Sequence, residues 1–278
     1  MQLHVRLDRW FLGLYGLALL RGWPFEDSDQ ASARMQAMHD LLHGDGPEKA
    51  FQSRDIDVLD SEAAYHEWAE TYDEPNPLIA AEERIIGQVV GEFPAGQAAD
   101  IATGTGRVAA KLVALGYETV AVDSSGAMLQ RASQNVPDAH LLRADLLRLP
   151  LADESVDLIT CALALTHVPN LAAAVAAFAR CLRPGGNVVI SDIHPMAAAT
   201  GGHAFFRREN GTRGVTPNEV HWAGTYVSAA RGSQLTVERC IDVFIDETLI
   251  EEFGLISDVE SSLIGLPFAA IWVMSKSA

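Results

Sequence analysis

The stretch QAADIATGTG, residues 97–106, decides the fold of this chain. Its first half is a short apolar run that reads as a buried strand, and its second half breaks at Gly104 and Gly106. Glycine permits tight turning with positive φ and has no Cβ to hold a ligand away from the backbone. A helical pattern over 106–116 follows. Strand, turn and helix in that order leave the unpaired N–H groups of a helix N-terminus facing the turn.

Outward from this point the sequence alternates. ETVAVD (118–123), AHLLRA (139–144), VDLITCALA (156–164) and NVVISDI (187–193) are short apolar runs with β-branched residues. Helical stretches at 106–116, 125–134 and 169–182 separate them. Such repetition implies right-handed crossovers and a parallel sheet covered on both faces. LTVERCIDVF (235–244) and PFAAIWVMSK (267–276) read as two longer strands with no helix between them, an antiparallel pair finishing the sheet. Upstream, Asn76-Pro77 starts a helix whose buried stripe is Ile85, Ile86, Val89 and Val90. The predicted fold is α/β: a Rossmann-like, doubly wound, mostly parallel sheet over 62–278, with an antiparallel C-terminal hairpin and a helical N-terminal extension over 1–61.

The extension contains the apolar run WFLGLYGLALL (10–20) between Arg9 and Arg21. It is too short to span a bilayer, which takes about 20 residues. Asp8 in its flank and the lack of a small-x-small site after it argue against a signal peptide. The expected role is a lid or a homodimer contact, and the expected location is the cytoplasm. A second helix, capped by Asp29 and ended by Gly44, carries His39 and His43 on one side without a third metal ligand, so no metal site is expected. The 278 residues carry 37 acidic and 20 basic side chains, net −17. Without a basic stripe such a surface repels a phosphate backbone, which excludes nucleic acid as a partner. Three separated cysteines, Cys161, Cys181 and Cys240, support neither a disulfide framework nor a zinc site.

In an open α/β sheet the ligand lies beyond the carboxyl ends of the strands, where the strand order reverses. Asp123 ends the second strand of the series, 17 residues after Gly106, where a carboxylate can accept both ribose hydroxyls of a nucleoside. Gly104-x-Gly106-x-x-Ala109 with an acid downstream also satisfies the dinucleotide fingerprint. Asp100 beside the turn weighs against that option, because it repels a pyrophosphate and attracts an ammonium group. Asp145 ends the third strand, where a second acid can accept from an adenine amino group.

Taken in order, DIATGTG, VDSSGAMLQRA, ADLLRLPLADESVDLI, ALALTHVPNL and LRPGG resemble the class I S-adenosylmethionine-dependent methyltransferases, and within them the small-molecule, quinone-methyltransferase-like branch. The resemblance covers residues 62–192 closely and leaves 1–61 unexplained. It implies S-adenosyl-L-methionine as cofactor and methyl transfer to an oxygen, nitrogen or carbon nucleophile of a small molecule; a place in secondary metabolism fits that reading. By the same resemblance Asp100 and the backbone at Gly104 and Gly106 hold the methionine half, with Ala102 standing where the family has its first glycine. Asp123 takes the ribose with Ser124 beside it, and Met128 packs on the adenine. Asp145 and the Leu146 N–H reach the adenine edge. Tyr65 and Tyr72, in AYHEWAETYDEPNP, match the aromatic segment that closes over the cofactor.

Catalytic candidates for a proton acceptor are His194 in SDIHP, then His167 in ALALTHVPN, with His221 and Tyr226 in VHWAGTYVSAA lining the same cavity. Arg207 and Arg208, in the insertion-like stretch 195–232, are candidates to pair with a substrate carboxylate. Two alternatives stay open: a protein that binds the same cofactor for cyclisation or decarboxylation, and an NAD-dependent oxidoreductase.

Overall fold

The computed structural model describes residues 1–46, 51–253 and 263–278. The residues group into two units, and the first comprises 1–58 with 244–266. Strand β1 (Gln2–Arg6) pairs antiparallel with β2 (Ser53–Val58), with Leu3 opposite Ile56. Helix α1 (Leu7–Gly22) contains the apolar run and buries Phe11, Leu14 and Ala18. Phe11 and Leu14 pack with Leu41 of helix α2 (Ser28–His43), which Asp27, not Asp29, caps by accepting from the Asp29 N–H. Gly44 ends α2 at φ +86°. No helix among the described residues is long and apolar enough to cross a membrane.

The second unit spans 59–243 and 267–278. Helix α3 (Ser61–Trp68) is capped by Asp60, and α4 (Pro77–Val90) by Asn76, which accepts from the Leu78 and Ile79 N–H groups with proline at the first helical turn. Then strands and helices alternate: β3 (Gln97–Ile101), α5 (Arg107–Ala114), β4 (Glu118–Asp123), α6 (Gly126–Asn135), β5 (His140–Arg143), β6 (Val156–Ala162), α7 (Leu171–Cys181) and β7 (Leu182–Ile193). After β7 come α8 (Pro195–Ala199), the antiparallel pair β8 (Ala204–Arg207) and β9 (Arg213–Thr216), α9 (Ala223–Gly232), β10 (Leu235–Phe244) and β11 (Pro267–Lys276).

The seven-stranded sheet runs β10-β11-β7-β6-β3-β4-β5. The pairs β3–β4, β4–β5, β3–β6 and β6–β7 are parallel, while β11 runs antiparallel to β7. Because β3 lies between β4 and β6, chain order reverses there and a crevice opens at the carboxyl edge. Both faces are covered, which is why the central strands are almost wholly apolar. Ile101, Val122, Ile159 and Ile190 are fully buried, as are Phe178 of α7, Ile86 of α4 and Leu112 of α5.

Two expectations need correction. The N-terminal extension is not wholly helical, since β1 and β2 pair antiparallel within it. LRPGG forms a bulge within β7: Val156 faces Leu182, and two residues on Leu158 faces Asn187. Gly185 takes φ +78° inside that bulge, where a side chain would be strained. The segment between the last two strands is not free of helix, since Glu247–Glu252 forms one, capped by Asp246.

Candidate active site

The turn after β3 bends through three left-handed residues: Ala102 (φ +55°), Gly104 (φ +58°) and Gly106 (φ +90°). Asp100 shapes it. Its carboxylate is 1% exposed; one oxygen accepts from the Thr103 hydroxyl (2.6 Å) and the Ala109 N–H (3.0 Å), the other from the Thr160 hydroxyl of β6 (2.6 Å). Burial outweighs these hydrogen bonds and pushes its pKa up to about 6. Asp100 therefore offers its charge, not a contact atom, to the crevice. Asp123, at the end of β4, is half-buried, and its oxygens accept from the Gly104 N–H (2.8 Å) and the Ser125 N–H (2.8 Å). Burial raises its pKa also.

A third acid was not among the sequence candidates. Asp192 of β7 is buried, accepts from the Tyr226 hydroxyl at 2.7 Å and from the Ile193 N–H at 2.9 Å, and is pushed by burial up to about 7. It also takes a hydrogen bond from the Thr166 backbone, in the 3₁₀ turn Leu165–His167. Cys161, wholly buried near the end of β6, has its thiol raised by burial and then by Asp192, Asp100 and Asp123. Sequence offered one signal for Asp192, a polar SD pair closing an apolar strand.

Tyr65 of α3 and Tyr72 stand over this edge. A Cβ on Gly104 would meet the Tyr72 ring at 3.8 Å. The Tyr65 hydroxyl lies 2.9 Å from His167 Nε2, and the two rings meet edge-on. His167 Nδ1 lies 3.2 Å from the Pro217 carbonyl, which can only accept. Nδ1 therefore carries the proton, and Nε2 accepts from the Tyr65 hydroxyl. Burial lowers the His167 pKa and keeps the ring neutral. It likewise raises the Tyr65 phenol well above its usual value and the Tyr72 phenol to about 12. Trp68 and Phe206 complete the aromatic cluster, stacked with centroids 5.5 Å apart.

The remaining candidates have the following partners. His194, the first choice as proton acceptor, is the cap of α8: Nδ1 accepts from the Met196 N–H (3.2 Å), and Nε2 lies 3.6 Å from Asp242. His221 Nε2 lies 3.1 and 2.9 Å from the Leu165 and Val168 carbonyls, so it donates to them and secures the 3₁₀ turn. Tyr226 is buried, its hydroxyl committed to Asp192 and its ring stacked on Trp272. Met128, on α6, is 0% exposed. Ser124 is exposed, and its carbonyl accepts from Arg143. Asp145 is exposed and bonds the Leu147 N–H (2.9 Å), an arrangement that closes its own turn, while Leu146 packs half-buried on the core. Arg207 and Arg208 pair with Glu74 and Glu67.

Sequence reading also missed Glu82 and Arg107. Glu82 of α4 is 0% exposed; one oxygen accepts from Arg107 (2.6 Å) and the other from the Ser191 hydroxyl of β7 (2.5 Å). The helical pattern marks Glu82 as facing inward beside Ile86, one turn on, which was the available signal.

Comparison with known proteins agrees with this architecture. Residues 99–190 match the methyltransferase domain family. A demethylmenaquinone methyltransferase of Renibacterium salmoninarum is 30% identical over 139 residues, 48% of this chain and 59% of that protein. One from Clavibacter sepedonicus is 30% identical over 181 residues, 60% of this chain and 70% of that protein. The chain spans about three-fifths of the length of several of these curated relatives. Among solved structures, an S-adenosylmethionine-dependent methyltransferase from Mesorhizobium loti superposes with a TM-score of 0.57 at 22% identity, over 72% of this chain and 100% of that one. The chain belongs to the class I S-adenosylmethionine-dependent methyltransferases, in their quinone-methyltransferase-like branch.

Proposed function

We propose that this protein transfers a methyl group from S-adenosylmethionine to a small aromatic molecule bearing an acidic hydroxyl, of the quinol or phenol type. The observation that carries the reading is the charge of the crevice. Asp100, Asp123 and Asp192 are held by hydrogen bonds from neutral groups. Arg107, the cation beside the loop, is already engaged by Glu82. A pyrophosphate brought here adds negative charge to buried negative charge, whereas a ligand with a sulfonium and an ammonium group offsets it. The residues present therefore fit that cofactor and not a dinucleotide. The names of the curated relatives support an acceptor of quinone type.

When bound, S-adenosylmethionine supplies a methyl group on positively charged sulfur, already activated for displacement. The chain supplies alignment, exclusion of water and a place for a proton. Asp123, kept in place by two backbone N–H groups, would accept from the ribose hydroxyls. Tyr65 and Tyr72 keep solvent away from the crevice. His167, with Nδ1–H fixed on the Pro217 carbonyl, keeps Nε2 free of a proton and ready to accept one from an acceptor hydroxyl that displaces the Tyr65 phenol.

Calorimetry with S-adenosylhomocysteine and with NAD tests the cofactor; binding of NAD alone would overturn the reading. Formation of S-adenosylhomocysteine over a panel of hydroquinones and phenols tests the reaction, and tight cofactor binding without turnover favours a non-methylating activity. Replacing His167 with alanine should lower kcat by about 10²–10⁴-fold while leaving affinity for S-adenosylhomocysteine nearly unchanged.

A further inference from the structure

We propose that Arg131, Arg207 and Arg208 are positioning residues, which clasp the segment 61–76 over the crevice and set the rate at which the cofactor enters and leaves. The inference rests on the reading that the crevice beside Gly104 and Asp123 holds the nucleoside.

The segment has two sides with different chemistry. Its inner side carries Tyr65 and Tyr72, and Asp73 accepts from the Thr105 hydroxyl at 2.6 Å. Its outer side carries three glutamates, and each meets an arginine from elsewhere in the unit. Arg131 of α6 donates to the Glu70 carboxylate (3.1 Å) and to the carbonyls of Glu70 (2.6 Å) and Ala69 (3.3 Å). Arg207 of β8 donates to both oxygens of Glu74, at 3.1 and 3.0 Å. Arg208 donates to Glu67 at 2.6 Å. The Thr71 hydroxyl, on the same segment, donates to the Arg207 carbonyl. The pairing is complementary throughout, with acids on the segment and cations on α6 and the β8–β9 hairpin.

Tyr65 and Tyr72, both half-buried, stand beside His167 and Gly104 at the crevice, so the segment moves aside for exchange to occur. Two of the three pairs are largely in solvent: the Glu70 and Glu74 side chains keep 63% and 50% of their exposure. Exposed pairs are individually weak and screened by salt. Three of them acting together hold the segment closed without locking it, and the tyrosines are thereby held at Gly104 and His167 between exchanges.

The test combines ligand release with backbone exchange. Stopped-flow release of S-adenosylhomocysteine from the wild-type protein should accelerate about 5-fold as NaCl rises from about 0.05 to about 0.5 M, while the Glu67→Gln/Glu74→Gln variant releases fast at low salt and responds little to it. Without any ligand, hydrogen exchange over 61–76 should quicken in that variant while 97–123 is unchanged. The charge swap Glu74→Arg with Arg207→Glu should restore slow release that either substitution alone abolishes, a rescue that loss of packing would not give. Release and exchange insensitive to salt and to these variants, or a swap without rescue, overturns the clasp. Failure of S-adenosylhomocysteine to bind wild-type protein overturns the reading of the crevice instead, and the exchange measurement then judges the clasp by itself.

Discussion

Ala102 is a residue whose backbone and side chain disagree. It holds φ +55° where the resembling family has glycine, and a Cβ in that region costs an L-residue roughly 1–2 kcal/mol. Ala102→Gly recovers part of this against the extra entropy of unfolded glycine, so stability should rise by about 0.5–1 kcal/mol, read as a higher urea midpoint with an unchanged m-value. Gly106 is the opposite case. At φ +90° a Cβ there would lie 2.7 Å from Val136 Cγ2, and Gly106→Ala should destabilise by about 3 kcal/mol or more in the same assay. Asp123 is set by the Gly104 and Ser125 N–H groups, so Asp123→Ala removes a brace of the loop and, on the proposed reading, a ribose acceptor. Affinity for S-adenosylhomocysteine should fall by about 1–3 kcal/mol in calorimetry; an unchanged value would place the ribose elsewhere.

At the scale of elements, the site is assembled by polar ties between pieces distant in sequence. Glu82 joins α4 to β7 through Ser191 and to α5 through Arg107. Glu82→Gln keeps an acceptor for Ser191 but leaves a half-buried guanidinium with Glu83, at 3.4 Å, as its remaining ion-pair partner among the described residues. The expected loss is about 2–4 kcal/mol, measured by denaturant unfolding. Asp192 plays the same part between β7, α9 and the turn that carries His167. None of these ties follows a sequence period. Helical and strand patterns were readable for α4, β3, α5, β4, α6 and α7 because apolar side chains recur at fixed intervals on the buried face. A buried acid interrupts that pattern and gives no hint of which distant donor satisfies it.

At the scale of the whole molecule, buried acids set the pH response. Asp100 and Asp192 titrate near 6 and 7 in the folded chain, from about 3.8 when unfolded. Between those values the folded state holds protons that the unfolded chain has released, so their effect is to lower stability as pH rises from about 4 to 7. Asp192→Asn removes its share, and the melting temperature of the variant relative to wild type should climb by several degrees between about pH 5 and 8. A cation in the crevice favours the ionised acids. The preference for S-adenosylmethionine over uncharged-sulfur S-adenosylhomocysteine should therefore grow by about 3–10-fold over about pH 5.5–7.5, and a flat ratio would remove the electrostatic account of the site.

The sequence by itself determined the strand–helix alternation, the parallel sheet, the glycine turn after β3 and the acid closing β4, because each depends on local periodicity or on the conformational freedom of one residue type. It also brought Tyr65, Tyr72 and His167 forward as candidates. Only the tertiary structure decided what their atoms meet. His194 and His167 look alike in sequence, one after an apolar strand and one in a loop beyond another. In space a helix N-terminus takes the Nδ1 of His194, while the Pro217 carbonyl, 50 positions away, fixes the Nδ1 proton of His167 and leaves Nε2 on the crevice side. Which partner each nitrogen meets depends on residues that chain order does not specify, and so the two histidines could not be told apart before the fold.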